Sequence, residues 1–155
     1  MASVTTLERL TADLTVSMKA RTAFRTNTVR QAIAAVRAAE KSGPAARELT
    51  DEQIQAVLAG EVKRRRESAQ IYRDADATER AETETAEADL IEAYLPATVT
   101  PEVLDQLVAD AIAASGASSL KDMGTVMKAA NAAAAGLGRV DGKELSARVR
   151  RALQG

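Results

Sequence analysis

Apolar residues recur at helical spacing along almost the whole chain. Val4, Leu7, Leu10, Leu14 and Met18 fall three or four positions apart. That spacing lines one face of a helix and does not fit the alternation of a half-buried strand. Val29, Ile33 and Val36 continue the pattern in a second helix that stops at Ser42-Gly43-Pro44, since glycine caps a helix and proline cannot extend it. Ile54, Val57, Leu58, Val62 and Tyr72 form the buried side of a third helix, which Gly60 weakens by about 1 kcal/mol relative to alanine. Ala86, Leu90, Ile91, Tyr94 and Leu95 belong to a fourth, following Asp76-x-x-Glu79 and ended by Pro96.

The punctuation between helices is equally readable. Thr5-x-x-Glu8 and Thr50-x-x-Gln53 read as capping boxes, in which a hydroxyl and an acid or amide three residues on satisfy each other's backbone N–H groups. Thr100-Pro101 reads as an N-cap followed by proline at the first helical position. A fifth helix then carries Val103, Leu104, Leu107, Val108, Ala111 and Ile112 and ends at Ser115-Gly116. A sixth starts near Ser119 and turns Leu120, Met123, Val126 and Met127 inward. The last opens at Asp141 and buries Leu145, Val149 and Leu153. The expected fold is all-α: a multihelical N-terminal domain over 1–96, followed by a small C-terminal three-helix bundle over 97–155.

Composition bounds the chemistry. The chain has 155 residues and contains neither cysteine nor histidine. It therefore lacks a thiolate nucleophile, a disulfide framework, an imidazole base and the commonest transition-metal ligands. Neither a cofactor nor a metal is expected. Aromatic residues make up 2% of the chain, and Phe24, Tyr72 and Tyr94 all read as core, so stacking on single-stranded bases is not expected. No apolar run approaches the roughly 20 residues that span a bilayer. The opening Met1-Ala2-Ser3-Val4-Thr5-Thr6 lacks the pattern of a signal peptide. A cytoplasmic location is the default expectation, with no membrane partner.

Three constellations resemble chemistry and read more simply as structure. Ser118-Ser119-Leu120-Lys121 superficially matches a serine–serine–lysine amidase but reads as a helix entry capped by Ser119 and Asp122. Gly136-x-Gly138-x-x-x-Gly142 has the wrong spacing for a dinucleotide fingerprint and no strand before it. The many carboxylates sit on an exposed helical stretch with no apolar pocket to raise their pKa values.

Cations supply the remaining candidates. The net charge is -1, so any basic patch must be local. Lys63-Arg64-Arg65-Arg66 is the densest cluster. On a helix Lys63 and Arg66 share a side, with Arg73 two turns further on. Arg30, Arg37 and Lys41 share another face, on the second helix. Such arrays can track phosphates. They can equally be solvated faces neutralised by acids, and Glu61, Glu67 and the acidic fourth helix (Glu79, Glu82, Glu84, Glu87, Asp89, Glu92) are available. Lys128, Arg139 and Lys143 flank one helix end and the next helix start, a setting that suits a phosphate, although Asp141 at the cap partly opposes an anion there.

Several motifs together resemble the GatB/YqeY family over nearly the whole length. Met18-Lys19-Ala20-Arg21 with Arg25, Val29-Arg30 and Ile33 is similar to that family's opening helices. Leu49-Thr50-Asp51-Glu52 leading into Glu61-Val62-Lys63-Arg64-Arg65-Arg66-Glu67-Ser68 is similar to its central segment. Glu92-Ala93-Tyr94-Leu95-Pro96 resembles the link between its two parts. Gly116-Ala117-Ser118-Ser119, Gly124-Thr125-Val126-Met127-Lys128 and Gly138-Arg139-Val140-Asp141-Gly142-Lys143 resemble its C-terminal part. The connector between Met127 and Gly138 departs from the family pattern. It is longer, with alanines where basic residues are common.

The resemblance implies a stand-alone relative of the tail of the B subunit of glutamine-dependent aminoacyl-tRNA amidotransferase, a tail that grips the tRNA body while other domains do the chemistry. The implied partners are tRNA and an aminoacyl-tRNA amidotransferase or synthetase. The implied function is non-catalytic tRNA binding or association with that machinery, with Lys128, Arg139, Lys143, Arg30, Arg37, Lys63 and Arg66 as candidate anion contacts. A protein-interaction adaptor is one alternative. A carbon–nitrogen ligase with glutamine as amide donor is the other, implied by family resemblance only.

Overall fold

The computed structural model describes residues 3–155; Met1 and Ala2, part of the opening stretch read above for a targeting signal, lie outside it. The described residues are all-helical, with seven α-helices and no strand. No helix is long and apolar enough to cross a membrane. The chain divides into two compact units, Met1–Leu95 and Pro96–Gly155.

The first unit contains α1 (Thr6–Lys19), α2 (Ala23–Glu40), α3 (Asp51–Asp74) and α4 (Thr78–Glu92). Both predicted capping boxes form: Thr5 with Glu8 at α1, and Thr50 with Gln53 at α3. Asp51 extends the second box across helices, because its carboxylate accepts the Thr6 N–H at 2.8 Å. Leu10, Val29, Val36, Leu58 and Ile91 are fully buried in one core, which Ile54, Val62, Tyr94 and Leu95 complete. Burying each large aliphatic side chain contributes about 1.5–3 kcal/mol.

The distal parts of α3 and α4 lie beyond that core. There the seal is alanine: Ala69 and Ala81 are buried, while Ile71 is 67% exposed. Methyl-sized contacts let two helices approach closely but bury little area. The periodicity reading fails at several places here. Val4 and Met18 are exposed and Ala86 faces solvent, and Phe24, read as a core aromatic, is exposed as well. A period identifies a face, but neighbours cover only the part of it they reach. The entry to α4 also differs from the sequence reading. Asp76 adopts φ 58, the cap is Ala77, and no side chain caps the helix.

Tyr94 lies just beyond α4 and ties the end of the first unit to α1. Its hydroxyl donates to Asp13, and Arg25 Nη2 reaches the same hydroxyl at 3.4 Å. The Arg9 guanidinium sits 5.2 Å above the ring centroid. Burial, then the Asp13 hydrogen bond, pushes the phenol up to about 12.

The second unit contains α5 (Pro101–Ser115), a 3₁₀ turn (Leu120–Asp122), α6 (Met123–Ala134) and α7 (Gly142–Gln154). Thr100 caps α5 with Pro101 in its first turn, and Gly116 ends it in the left-handed conformation. Leu104, Val108, Val126, Leu145 and Val149 are buried together. The sixth helix starts later than its sequence pattern suggests, because the 3₁₀ turn comes first and leaves Leu120 exposed.

Candidate functional site

The basic cluster Lys63–Arg66 lies on α3 opposite the acids of α4. Arg64 pairs with Glu61. Arg65, whose side chain is only 11% exposed, binds Glu61, Glu87 (3.2 Å) and the Gln31 side-chain oxygen Oε1 (2.6 Å). Arg66 binds Glu92 at 2.7 Å and Asp89 at 3.0 Å. The Glu92 hydrogen bond is the main reason its guanidinium pKa rises further. Among the described residues, Lys63 alone of the four is exposed with no carboxylate partner. The neutralising acids are mostly those of α4, while Glu67 takes no part.

On α2, Arg30 is exposed and has no ion-pair partner among the described residues, and Arg37 binds Glu40 at 3.0 Å. Arg37 and Lys41 also line a cleft of about 500 Å³ with Arg47, above the apolar floor of Leu7, Leu49 and Ile54. Glu8, Glu40, Glu48 and Asp51 line it too, so the cleft is not a net positive site.

The second unit distributes its charges differently. Asp122 accepts from the Ser118 and Ser119 N–H groups at 2.9 and 3.3 Å. Asp141 caps α7, accepting from Lys143 and Glu144 N–H at 2.9 and 3.2 Å. Asp110 accepts from Gln106 at 2.7 Å. Asp105 and Glu144 both hold Arg148, whose pKa they raise, Asp105 first. Five of the unit's six acids are thereby committed. Its cations Lys121, Lys128, Lys143, Arg150 and Arg151 are exposed, and no carboxylate among the described residues partners them.

Of the three residues predicted to share a site here, Lys128 lies on α6 and Lys143 in the first turn of α7. Arg139 lies on the connector between them and is built into the fold. Its guanidinium donates to the Pro96 carbonyl at 2.9 Å and to Thr98 Oγ1 at 3.3 Å. Its own N–H and carbonyl pair with Ala97 and Val99, forming a single parallel bridge to residue 98. Gly138 makes that approach possible. It has φ 148, and a Cβ there would lie 2.5 Å from the Ala97 carbonyl oxygen, in a conformation that only glycine adopts readily. The glycine–arginine motif thus carries a backbone junction.

Arg150 and Arg151 were not singled out from the sequence. At about 100° per residue they fall with Lys143 inside an arc of about 100° on α7, opposite Leu145 and Val149. The signal was present in the apolar period of that helix, which fixes the opposite face as solvent. A family model described as Yqey-like protein matches residues 7–153. No curated protein matches the chain.

Proposed function

The chain belongs to the YqeY-like family, and from that membership we propose that it is a non-catalytic cytoplasmic protein that binds tRNA or associates with the tRNA amidotransferase machinery. The observation that supports this reading is the set of unpartnered, exposed cations on residues 96–155, with Lys143, Arg150 and Arg151 on one face of α7. Cations not consumed by internal ion pairs are free to displace counterions from phosphates. On this reading the two units are separate domains, a multihelical one over 1–96 and a three-helix one over 97–155. Of the contacts expected from the sequence, Lys128, Lys143, Arg30 and Lys63 are exposed.

A filter-binding titration against bulk tRNA tests the proposal. The expected result is binding at low salt that weakens steeply as salt rises. Undetectable binding at low salt, or binding insensitive to salt, overturns it. Ammonia release from glutamine by the purified chain alone would overturn the non-catalytic part.

An adaptor role is the second reading. The distal α3–α4 hairpin supports it, because residues 67–84 carry six acids against two cations and expose Ile71. Such an arm repels RNA and suits a basic protein surface. A stoichiometric protein partner that survives nuclease treatment would favour this reading over direct RNA binding.

A further inference from the structure

We propose that the exposed face of α7 binds the sugar–phosphate backbone of double-helical RNA, without base readout and in preference to single strands; this rests on the RNA-binding reading above. The recognition chemistry follows from what the unit contains. Residues 96–155 include no aromatic residue, since Phe24, Tyr72 and Tyr94 all precede them. Binding to single strands draws about 1–3 kcal/mol per base from stacking on aromatic side chains, and this unit has none to offer. What it has is charge. Lys143, Arg150 and Arg151 are exposed, no carboxylate among the described residues forms an ion pair with them, and they span about 12 Å of helix axis; Glu144, beside them, is held by Arg148.

Charge alone favours the denser polyanion. A nucleic-acid duplex carries a charge about every 1.7 Å of axis and one strand about every 3.4 Å, so a duplex presents the denser field of phosphate charge to the face of α7. Double-stranded RNA is in any case recognised mainly through backbone and shape. The helix N-terminus is not the contact, because Asp141 already occupies the Lys143 and Glu144 N–H groups. Side chains on the flank of the helix are left to do the binding. Phosphate contacts of this kind carry no sequence information.

Fluorescence anisotropy with the full chain tests this. The probes are a short labelled RNA duplex and a labelled oligouridine with the same number of phosphates. The duplex is expected to bind at least about tenfold more tightly, a difference of about 1.4 kcal/mol. Its log–log salt slope is expected near -2.7, at about -0.9 per phosphate neutralised. The triple variant Lys143→Gln/Arg150→Gln/Arg151→Gln is expected to lose most of that slope, and Lys143→Gln alone about one unit, with far-UV circular dichroism unchanged. Phe24→Ala, which removes the exposed aromatic of the first unit, is expected to change nothing. Equal or tighter binding of oligouridine, an unchanged triple variant, or a loss with Phe24→Ala overturns the proposal. If tRNA still binds but the duplex does not, only this inference falls; if neither binds, the RNA-binding reading itself falls.

Discussion

The α3–α4 hairpin and α7 hold the two most basic helical stretches of the chain, and they use their cations in opposite ways. On α3, Arg64, Arg65 and Arg66 are consumed by Glu61, Glu87, Asp89 and Glu92. On α7 only Arg148 is consumed, and Lys143, Arg150 and Arg151 stay free. The first unit carries sixteen acids against fourteen cations, whereas the second carries six against seven. On the proposed reading, the denser cluster is therefore expected to be the weaker attractor of phosphate. Availability of charge, more than its linear density, decides where a polyanion can sit.

The largest test of this contrast removes the second unit's junction. Gly138→Ala forces a Cβ into the Ala97 carbonyl at a backbone angle hostile to alanine, so a loss of about 3 kcal/mol is expected. Hydrogen exchange should show the loss confined to residues 96–155, and RNA affinity should fall with it. Retained RNA binding would place the contact on the first unit instead.

Next in size, Arg65→Gln takes the arginine from the Glu87 carboxylate beside a largely buried position and leaves Glu61 with Arg64 alone. Chemical denaturation should report a loss of about 2 kcal/mol, with RNA affinity unaffected. A parallel loss of affinity would mean that the α3 cluster touches RNA after all.

Tyr94→Phe gives a smaller, pH-dependent effect. The folded phenol titrates near 12 and the unfolded one near its ordinary value of about 10. A raised folded pKa stabilises the native state fully below the unfolded value, and that contribution disappears as pH rises through the folded value. The stability difference between native chain and variant should therefore be constant below about pH 10 and shrink towards pH 12. A constant difference over that range would show that Asp13 and burial do not hold the proton.

The smallest effect belongs to Arg64→Ala. Its guanidinium is largely exposed and Glu61 keeps Arg65 as a partner, so thermal unfolding should shift by less than about 0.5 kcal/mol. RNA affinity should stay the same. A clear drop in affinity would show that an exposed, paired arginine still reaches phosphate.

Local chemistry was readable from the chain because its partners lie within one helical turn. Thr5 with Glu8, Thr50 with Gln53, and Thr100 with Pro101 declare helix starts in a few adjacent letters. The covered face of each helix was readable only in its middle. Val4 and Met18 keep the period yet stay exposed, because the period does not record where the neighbouring helix ends. Charge pairing was the least readable. Arg65 meets Glu87 from 22 residues away, and nothing in either segment alone says which acid an arginine will choose. The same limit hid Arg139, whose cation looked like ligand chemistry and is bonded to backbone 43 residues earlier.

The junction at Arg139 has a practical side for dissecting the molecule. Pro96, Ala97, Thr98 and Val99 precede the first helix of the second unit, yet Arg139 bonds to all four. A fragment cut at Thr100, where the helix begins, would lose these four hydrogen bonds to Arg139 and the close approach at Gly138. An excised version of this unit must therefore start no later than Pro96, and one started at the helix should melt sooner and lose the ordered connector first.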